Sequence, residues 1–195
     1  MDAARDSQPT GTTILSVTEA SALLDVDERL VRKEIEHGLI GKRNRVEVSF
    51  AEAVYLLATT LMQFRLGVEQ RRVVRSAVES WLTSSPRAPR IELAAGLELN
   101  VGRFANEVEE RLSAFKKWKR ERVAEDAGVL AGEPTFRGSR LSVRKIGEMI
   151  LEHGDAAVRE IREDYPRLTK DDIRFAPRFA RAYPRRGRPR REAST

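Results

Sequence analysis

Apolar side chains recur at helical spacing along most of this sequence, and short polar turns rich in glycine, proline or aspartate separate the runs. The pattern predicts helices over residues 15–24, 28–37, 50–66, 68–82, 102–126, 143–153 and 155–164, with a last helix beginning after residue 169. In the helix over residues 68–82 the apolar residues are expected to face inward and Arg71, Arg72 and Arg75 outward. Strict alternation is confined to residues 39–48 and 91–101, which predict small β-hairpins. We therefore expect a mainly α-helical fold with small β-hairpins.

The first two predicted helices are short, and a tight turn over residues 25–27 joins them. In the second helix Leu30, Val31 and Ile35 face inward, which leaves its charged residues outside. Two such helices followed by a hairpin with a basic tip indicate a winged helix-turn-helix, whose second helix enters the major groove and whose wing contacts phosphates. The residues expected to contact DNA are Arg29, Arg32 and Lys33 of the helix and Lys42, Arg43 and Arg45 of the hairpin tip.

Residues 34–40, which end the second helix at a glycine, resemble the matching segment of the winged DNA-binding domains of the MerR and excisionase family. The resemblance covers roughly a quarter of the chain, within the usual uncertainty of element boundaries. It implies DNA binding by the N-terminal half. The alternative is a surface helix with solvated charges.

The formal net charge of +6 is concentrated at the C-terminus. Residues 177–195 hold seven arginines and one acid, so the rest of the chain is neutral on balance. A basic tail on a neutral body predicts an anionic partner, either nucleic acid or an acidic protein surface. A second basic patch, Lys116–Arg120, surrounds Trp118; it is either a helix end packed on a neighbouring domain, a nucleic-acid contact or a dimer contact.

Several classes of function are excluded by composition. The chain has no cysteine, and its two histidines, His37 and His153, each precede a glycine at a predicted helix end, which favours a capping role over metal binding. Phosphate-binding and nucleophile motifs are absent, so we expect no enzyme activity, no cofactor and no metal. There is no apolar run of membrane-spanning length, and residues 1–13 read as a polar, disordered leader, which together predict a cytoplasmic protein.

The stretch from Asp126 to Val143 contains three glycines and a proline, and predicts a shaped loop between two helical regions. Arg137 and Arg140 flank Gly138 within it. These two arginines either contact a partner or brace the loop, and the structural role is favoured.

Residues 132–143, together with residues 164–173, resemble a small bacterial domain of unknown function that occurs in VapB-type antitoxins. Ser139, Leu141 and Ser142 depart from the usual form of the motif. Pro177 is a further departure, because a proline inside the last predicted helix is expected to kink or end it.

The resemblance implies the antitoxin of a toxin–antitoxin module, which inhibits a PIN-domain ribonuclease and represses its own operon, as a homodimer on operator DNA. Arginines that grip an acidic active site, with aromatic anchors between them, are the expected contacts. The toxin-binding residues implied are Phe179, Arg181, Tyr183, Arg185, Arg186, Arg188, Arg190 and Arg191. One alternative is that residues 187–189 place the tail in the minor groove of DNA; another is a MerR-like transcriptional regulator with no toxin partner.

The expected organisation has four parts. Residues 1–13 form the leader, and residues 14–125 form a winged helix-turn-helix domain with a helical extension and dimerisation region. Residues 126–183 form a trihelical domain, itself similar to a helix-turn-helix, and residues 184–195 form the basic tail.

Overall fold

The computed structural model describes residues 14–41, 47–62, 66–84, 90–94 and 96–185. These residues form eight α-helices and three two-stranded antiparallel sheets, which confirms the predicted mainly α-helical fold with small hairpins. The chain divides into two compact units, residues 1–121 (unit 1) and 122–195 (unit 2). No helix in the described ranges combines the length and the apolar character needed to cross a membrane.

The elements of unit 1 follow the predicted order. They are β1 (Ile14–Ser16), α1 (Val17–Leu24), α2 (Glu28–Glu36), β2 (Glu47–Ser49), α3 (Phe50–Leu61), α4 (Val68–Thr83), β3 (Ile91–Ala94), β4 (Leu97–Leu99) and α5 (Val101–Arg122), whose last residue belongs to unit 2. Unit 2 contains β5 (Val123–Ala124), a short 3-10 turn (Leu130–Gly132), β6 (Thr135–Phe136), α6 (Val143–His153), α7 (Asp155–Asp164) and α8 (Lys170–Ala182).

Side-chain caps fix the turn between α1 and α2. Ser16 and Glu19 form a reciprocal capping box that starts α1, and Asp25 ends this helix in the left-handed conformation, with φ +60°. The Asp27 carboxylate then accepts a hydrogen bond from the Arg29 amide at 2.8 Å and starts α2. As predicted, α2 stops at His37, and Gly38 follows with φ +68°.

The strand that follows α2 does not pair as the sequence predicts. Residues 47–49 do form a strand, β2, but this strand pairs with β1 and not, as the predicted hairpin requires, with the segment that contains Leu39 and Ile40. Leu39 and Ile40 lie in bends and are buried, because their apolar side chains pack into the core while the N-terminal strand supplies the ladder. The predicted tip of this hairpin, residues 42–46, lies outside the described residues.

The later part of unit 1 follows the prediction more closely. Strands β3 and β4 form the second expected hairpin, with Ile91 opposite Leu99. Helix α5 ends at Arg122, earlier than predicted. Within unit 1 the Arg111 guanidinium donates to the Leu24 carbonyl at 2.7 Å, so α5 is tied to the end of α1.

The shaped loop of unit 2 is present, but its unusual conformations are only partly at glycine. Leu130, Ala131 and Gly132 have φ values of 47°, 54° and 82°, so three successive residues are left-handed. Only the last of them is a residue for which this conformation carries no steric cost. The loop closes where β5 pairs with β6, with Val123 opposite Phe136.

Helices α6 and α8 pack closely in unit 2, because Gly147 lets the backbones approach. A Cβ at this position would lie 2.2 Å from the Ala176 carbonyl oxygen, so no other residue fits without movement of α8. Helix α8 does not end at Pro177 but continues through it to Ala182. One missing amide hydrogen bond is tolerated because the buried face of α8, which includes Phe175 and Phe179, still packs in the core.

Candidate functional site

The exposed face of α2 carries the three helical residues that the sequence predicts to contact DNA. Arg29 and Lys33 are exposed, and neither forms an ion pair with a residue that the structure describes. Arg32 is exposed as well, but its guanidinium pairs with Glu28 one turn earlier. This face of α2 therefore presents two cations directly to solvent and a third that is partly neutralised by its neighbour.

The opposite face of α2 is held by a buried carboxylate. Glu34 is 2% exposed, accepts a hydrogen bond from the Tyr55 hydroxyl of α3 at 2.6 Å, and pairs with the Arg71 guanidinium of α4. Burial raises the pKa of the Tyr55 phenol, and its hydrogen bond to Glu34 raises it further, so Tyr55 remains a donor at neutral pH. The network joins three helices and fixes the rotation of α2 that turns its basic face outward.

A second buried carboxylate binds the backbone next to residues 42–46, the tip of the predicted basic hairpin. Glu52 accepts hydrogen bonds from the amides of Gly41 at 2.8 Å and Ser49 at 2.7 Å, and pairs with the Arg75 guanidinium at 3.2 Å. Gly41 and Ser49 flank residues 42–46, so the Glu52 side chain binds the backbone on both sides of this basic segment. The predicted DNA contacts of the segment, Lys42, Arg43 and Arg45, lie outside the described residues.

The arginines of α4 are placed differently from the prediction. The sequence pattern puts Arg71 and Arg75 on the outer face of α4, but their side chains are only 19% and 18% exposed and reach Glu34 and Glu52. The reason is periodicity, because both arginines share a helical face with the buried residues Val74 and Val78. This spacing is visible in the sequence and could have identified them.

Two of the residues implied to bind a toxin are involved in packing. Phe179 is 1% exposed and its ring lies 4.9 Å from that of Tyr183, which is half-buried. Phe179 therefore lies on the inward face of α8, and its implied contact with a toxin stays a prediction. Arg181 is exposed, and the Arg185 side chain is 60% exposed. Arg186, Arg188, Arg190 and Arg191 lie outside the described residues.

Glu133 lies in the shaped loop of residues 126–143, which we call the motif loop, and it contacts the chain where it leaves α8. Glu133 accepts hydrogen bonds from the Ser142 hydroxyl at 3.0 Å and the Arg144 guanidinium at 3.0 Å, and lies 3.8 Å from Arg185. Arg144 also donates to the Tyr183 carbonyl at 2.9 Å. The loop, α6 and the first arginine of the tail therefore meet at one largely buried acid.

Unit 2 also contains a groove of about 630 Å³ between residues 136–141 and 164–168. We call it the arginine groove, after the four arginines that line it: Arg122, Arg137, Arg140 and Arg167. Asp164 is its one acidic lining residue among those described. The sequence singles out Arg137 and Arg140, but nothing in the local pattern marks Arg167, since only the fold brings its turn beside the loop.

The arginines of this groove differ in what holds them. Arg122 forms two hydrogen bonds, of 3.0 and 2.6 Å, with the fully buried Asp172, and these raise its pKa. The Arg137 side chain donates to the Val123 carbonyl at 3.2 Å, in keeping with a bracing role. Arg140 and Arg167 are exposed and make no ion pair with a described residue.

Three further features bear on the sequence predictions. Within the described ranges no cluster of three or more histidine, aspartate or glutamate residues could hold a metal ion. Trp118 is 4% exposed and lies 5.6 Å from Phe115, so it packs in the core, while the neighbouring Lys116 and Lys117 are exposed. His37 and His153 end α2 and α6, as the sequence predicts.

Comparison with known proteins gives one match. Residues 123–180 match a family described as "Protein of unknown function (DUF433)", and this segment includes the motif loop, α6, α7 and most of α8. The match agrees with the resemblance of this stretch to a small domain of unknown function. No curated protein and no solved structure matches the chain.

Proposed function

We propose that this protein is the antitoxin of a type II toxin–antitoxin module, which inhibits a PIN-domain ribonuclease and represses its own operon as a DNA-bound homodimer. The observation that carries the DNA-binding half is the outward basic face of α2 on a capped helix-turn-helix, braced from behind by Glu34. The toxin-binding half is supported by the motif loop in residues 123–180 and by the basic tail.

In the proposed complex α2 lies in the major groove. Arg29 and Lys33 are one turn apart, so both can reach the same stretch of DNA, with Arg32 between them. Release of Arg32 from Glu28 on binding would free its planar guanidinium for a guanine or a phosphate. A dimer would place two α2 helices on successive turns of a palindromic operator.

The proposed inhibition of the ribonuclease uses the tail. A PIN-domain active site is a cluster of carboxylates that holds divalent metal, and arginine guanidinium groups are suited to pairing with such carboxylates. The anchoring of residues 183–185 by Glu133 and Arg144 supports this role, because the arginines then leave the folded unit from a fixed point. Phe179 contributes indirectly, by fixing α8 and Tyr183.

A MerR-like regulator with no toxin partner is the second candidate function. The observation that favours it is the packing of Phe179 in the core, because a buried ring is not available to anchor a toxin. Isolation of the protein from its native host would discriminate, since only the antitoxin brings a small ribonuclease with it.

The test separates the two halves. Arg29→Ala with Lys33→Ala should weaken binding to the DNA upstream of the gene at least tenfold and lower the salt slope, by about 0.9 for each phosphate that is no longer neutralised. Arg103→Ala, an exposed arginine on α5, is the matched control and should bind normally. Removal of residues 184–195 should abolish ribonuclease inhibition and leave operator binding largely intact. A truncated protein that still inhibits would contradict the role given to the tail.

A further inference from the structure

We propose that the arginine groove of unit 2 binds an acidic segment of a partner protein, in which carboxylates flank apolar side chains. If the partner is the PIN-domain ribonuclease, the inference rests on the proposed function and adds a second contact beside the tail. The groove itself is defined without reference to that function.

Charge is the first argument. Arg137, Arg140 and Arg167 line the groove, whereas Asp164 is its single acid among the described residues. Arg122 is already neutralised by Asp172, and the charge argument rests on Arg140 and Arg167. Both are exposed and belong to the two segments that line the groove, the loop and the turn, so either can pair with a carboxylate of a bound partner.

The apolar lining is the second argument, and it favours protein over nucleic acid. Leu141, Pro166 and Leu168 line the groove and suit aliphatic side chains. A site for single-stranded nucleic acid would offer aromatic faces on which bases stack. Of the two aromatic lining residues, Phe136 is 2% exposed and only Tyr165, at 39%, offers a face. Arginine and tyrosine are among the residue types enriched in protein interaction hot spots.

Both walls of the groove are preformed, which is the third argument. In the loop, the Phe136 amide donates to the Leu141 carbonyl at 2.9 Å and the Ser139 hydroxyl donates to the Phe136 carbonyl at 2.8 Å. In the turn, the Leu168 amide donates to the Tyr165 carbonyl at 3.0 Å. Few residues of the groove therefore have to become ordered when a peptide binds, and this lowers the entropic cost of binding.

The experiment is a selection of random peptides displayed on phage against the immobilised full chain. The library is first cleared on the Arg140→Glu, Arg167→Glu double variant, which keeps the same basic tail and so removes peptides that bind only the tail. The selected peptides should contain aspartate or glutamate beside leucine, valine or phenylalanine. In solution they should bind the Arg140→Glu and Arg167→Glu single variants at least tenfold more weakly than the unaltered chain.

Arg159→Glu is the matched control, because Arg159 is an exposed arginine of the same unit that does not line the groove. It should bind the selected peptides as the unaltered chain does. Selected peptides that lack acidic residues, equal weakening with Arg159→Glu, or failure to select any peptide would overturn the proposal. Tighter binding of a ten-nucleotide oligothymidylate with the same arginine dependence would assign the groove to nucleic acid instead.

This test is independent of the ribonuclease. If the chain has no toxin partner but the acidic peptides still require Arg140 and Arg167, the proposed function fails and the groove stands. If inhibition depends on the tail alone and no peptide is selected, the groove proposal fails and the proposed function stands. Circular dichroism of each variant verifies that these exposed substitutions leave the fold intact.

Discussion

Both units support a proposed binding surface with a buried carboxylate, but they recruit its partners from different places. In unit 1 Glu34 lies behind the basic face of α2 and is bound by Tyr55 and Arg71 from two further helices. In unit 2 Asp172 lies at the start of α8 and is bound by Arg122, which itself lines the arginine groove. The first carboxylate positions a surface from behind, whereas the second binds an arginine that lines the surface itself.

Each surface also needs residues that lie far apart in the sequence. Helices α1 and α2 alone, residues 17–36, do not contain Arg71, so the geometry of α2 depends on a residue of α4 that lies 37 positions after Glu34. The arginine groove depends on Arg122 and Asp172, which lie 50 positions apart within unit 2. Substitutions at the two carboxylate pairs, each with a control at the adjacent position in the sequence, test whether the pairs act as described.

The largest effect is expected for Asp172→Ala. Asp172 is 0% exposed and accepts two hydrogen bonds from Arg122 and one, at 2.8 Å, from the Thr169 amide, so its removal leaves these donors without their acceptor. We expect unit 2 to lose about 3 kcal/mol, the lower end of the range for breaking a buried pair, since Arg122 can turn to solvent. Hydrogen exchange of the α8 amides measures the loss.

The neighbouring acid provides the control. Asp171 is 66% exposed and lies 3.7 Å from Arg174 within the same helix. Asp171→Ala should change the stability of unit 2 by less than about 0.5 kcal/mol, as expected of an exposed pair. Equal losses for the two variants would show that both acids act only through the charge at the start of α8.

Local signals predict much of this fold. Caps are readable because they depend on residues close in sequence: Ser142 starts α6, and Thr169 and Asp172 start α8 as a capping box. The second hairpin is equally local, since its strands flank Gly96. The pairing of β2 with β1 is not local, and no signal near residue 47 indicates that its partner lies at residues 14–16.

The candidate sites are predicted less completely, for the same physical reason. Helical periodicity alone places Arg29, Arg32 and Lys33 on the exposed face of α2. Prediction from the sequence fails for buried charges. It places a charged residue on the exposed face of a helix unless the buried partner of that residue is known, and Arg71 is such a case. Arg167 is a different case, since it becomes part of a groove only through the tertiary fold.

A smaller loss of stability is expected for Arg71→Ala. Glu34 would lose its charged partner but keep the Tyr55 hydroxyl as a donor, so we expect a cost of about 2 kcal/mol. Urea unfolding followed by tryptophan fluorescence reports on unit 1 selectively, because both tryptophans, Trp81 and Trp118, lie in it.

Arg72→Ala is the matched control for this variant. Arg72 is 54% exposed and pairs with Glu69, which is 81% exposed, so its removal should be close to neutral. The Arg71 variant should also bind operator DNA more weakly than the Arg72 variant, because α2 is then held less firmly on its buried face. If the two variants unfold at the same urea concentration, the comparison between the units fails.

The smallest effect concerns pH and the Tyr55 hydroxyl. Burial and the hydrogen bond to Glu34 raise the pKa of Tyr55 in the folded protein above the ordinary value of about 10 that holds in the unfolded chain. The stabilisation from Tyr55 is therefore complete below pH 10. It is lost as the pH rises further, because the unfolded chain then releases a proton that the folded protein retains. One such proton lowers the free energy of unfolding with a slope of about 1.4 kcal/mol per pH unit. Tyr55→Phe should cost about 1 kcal/mol at neutral pH, since Glu34 loses a donor, and should remove this slope. Tyr165→Phe should retain it, because Tyr55 is still present, and an unchanged slope in the Tyr55 variant would place its origin elsewhere.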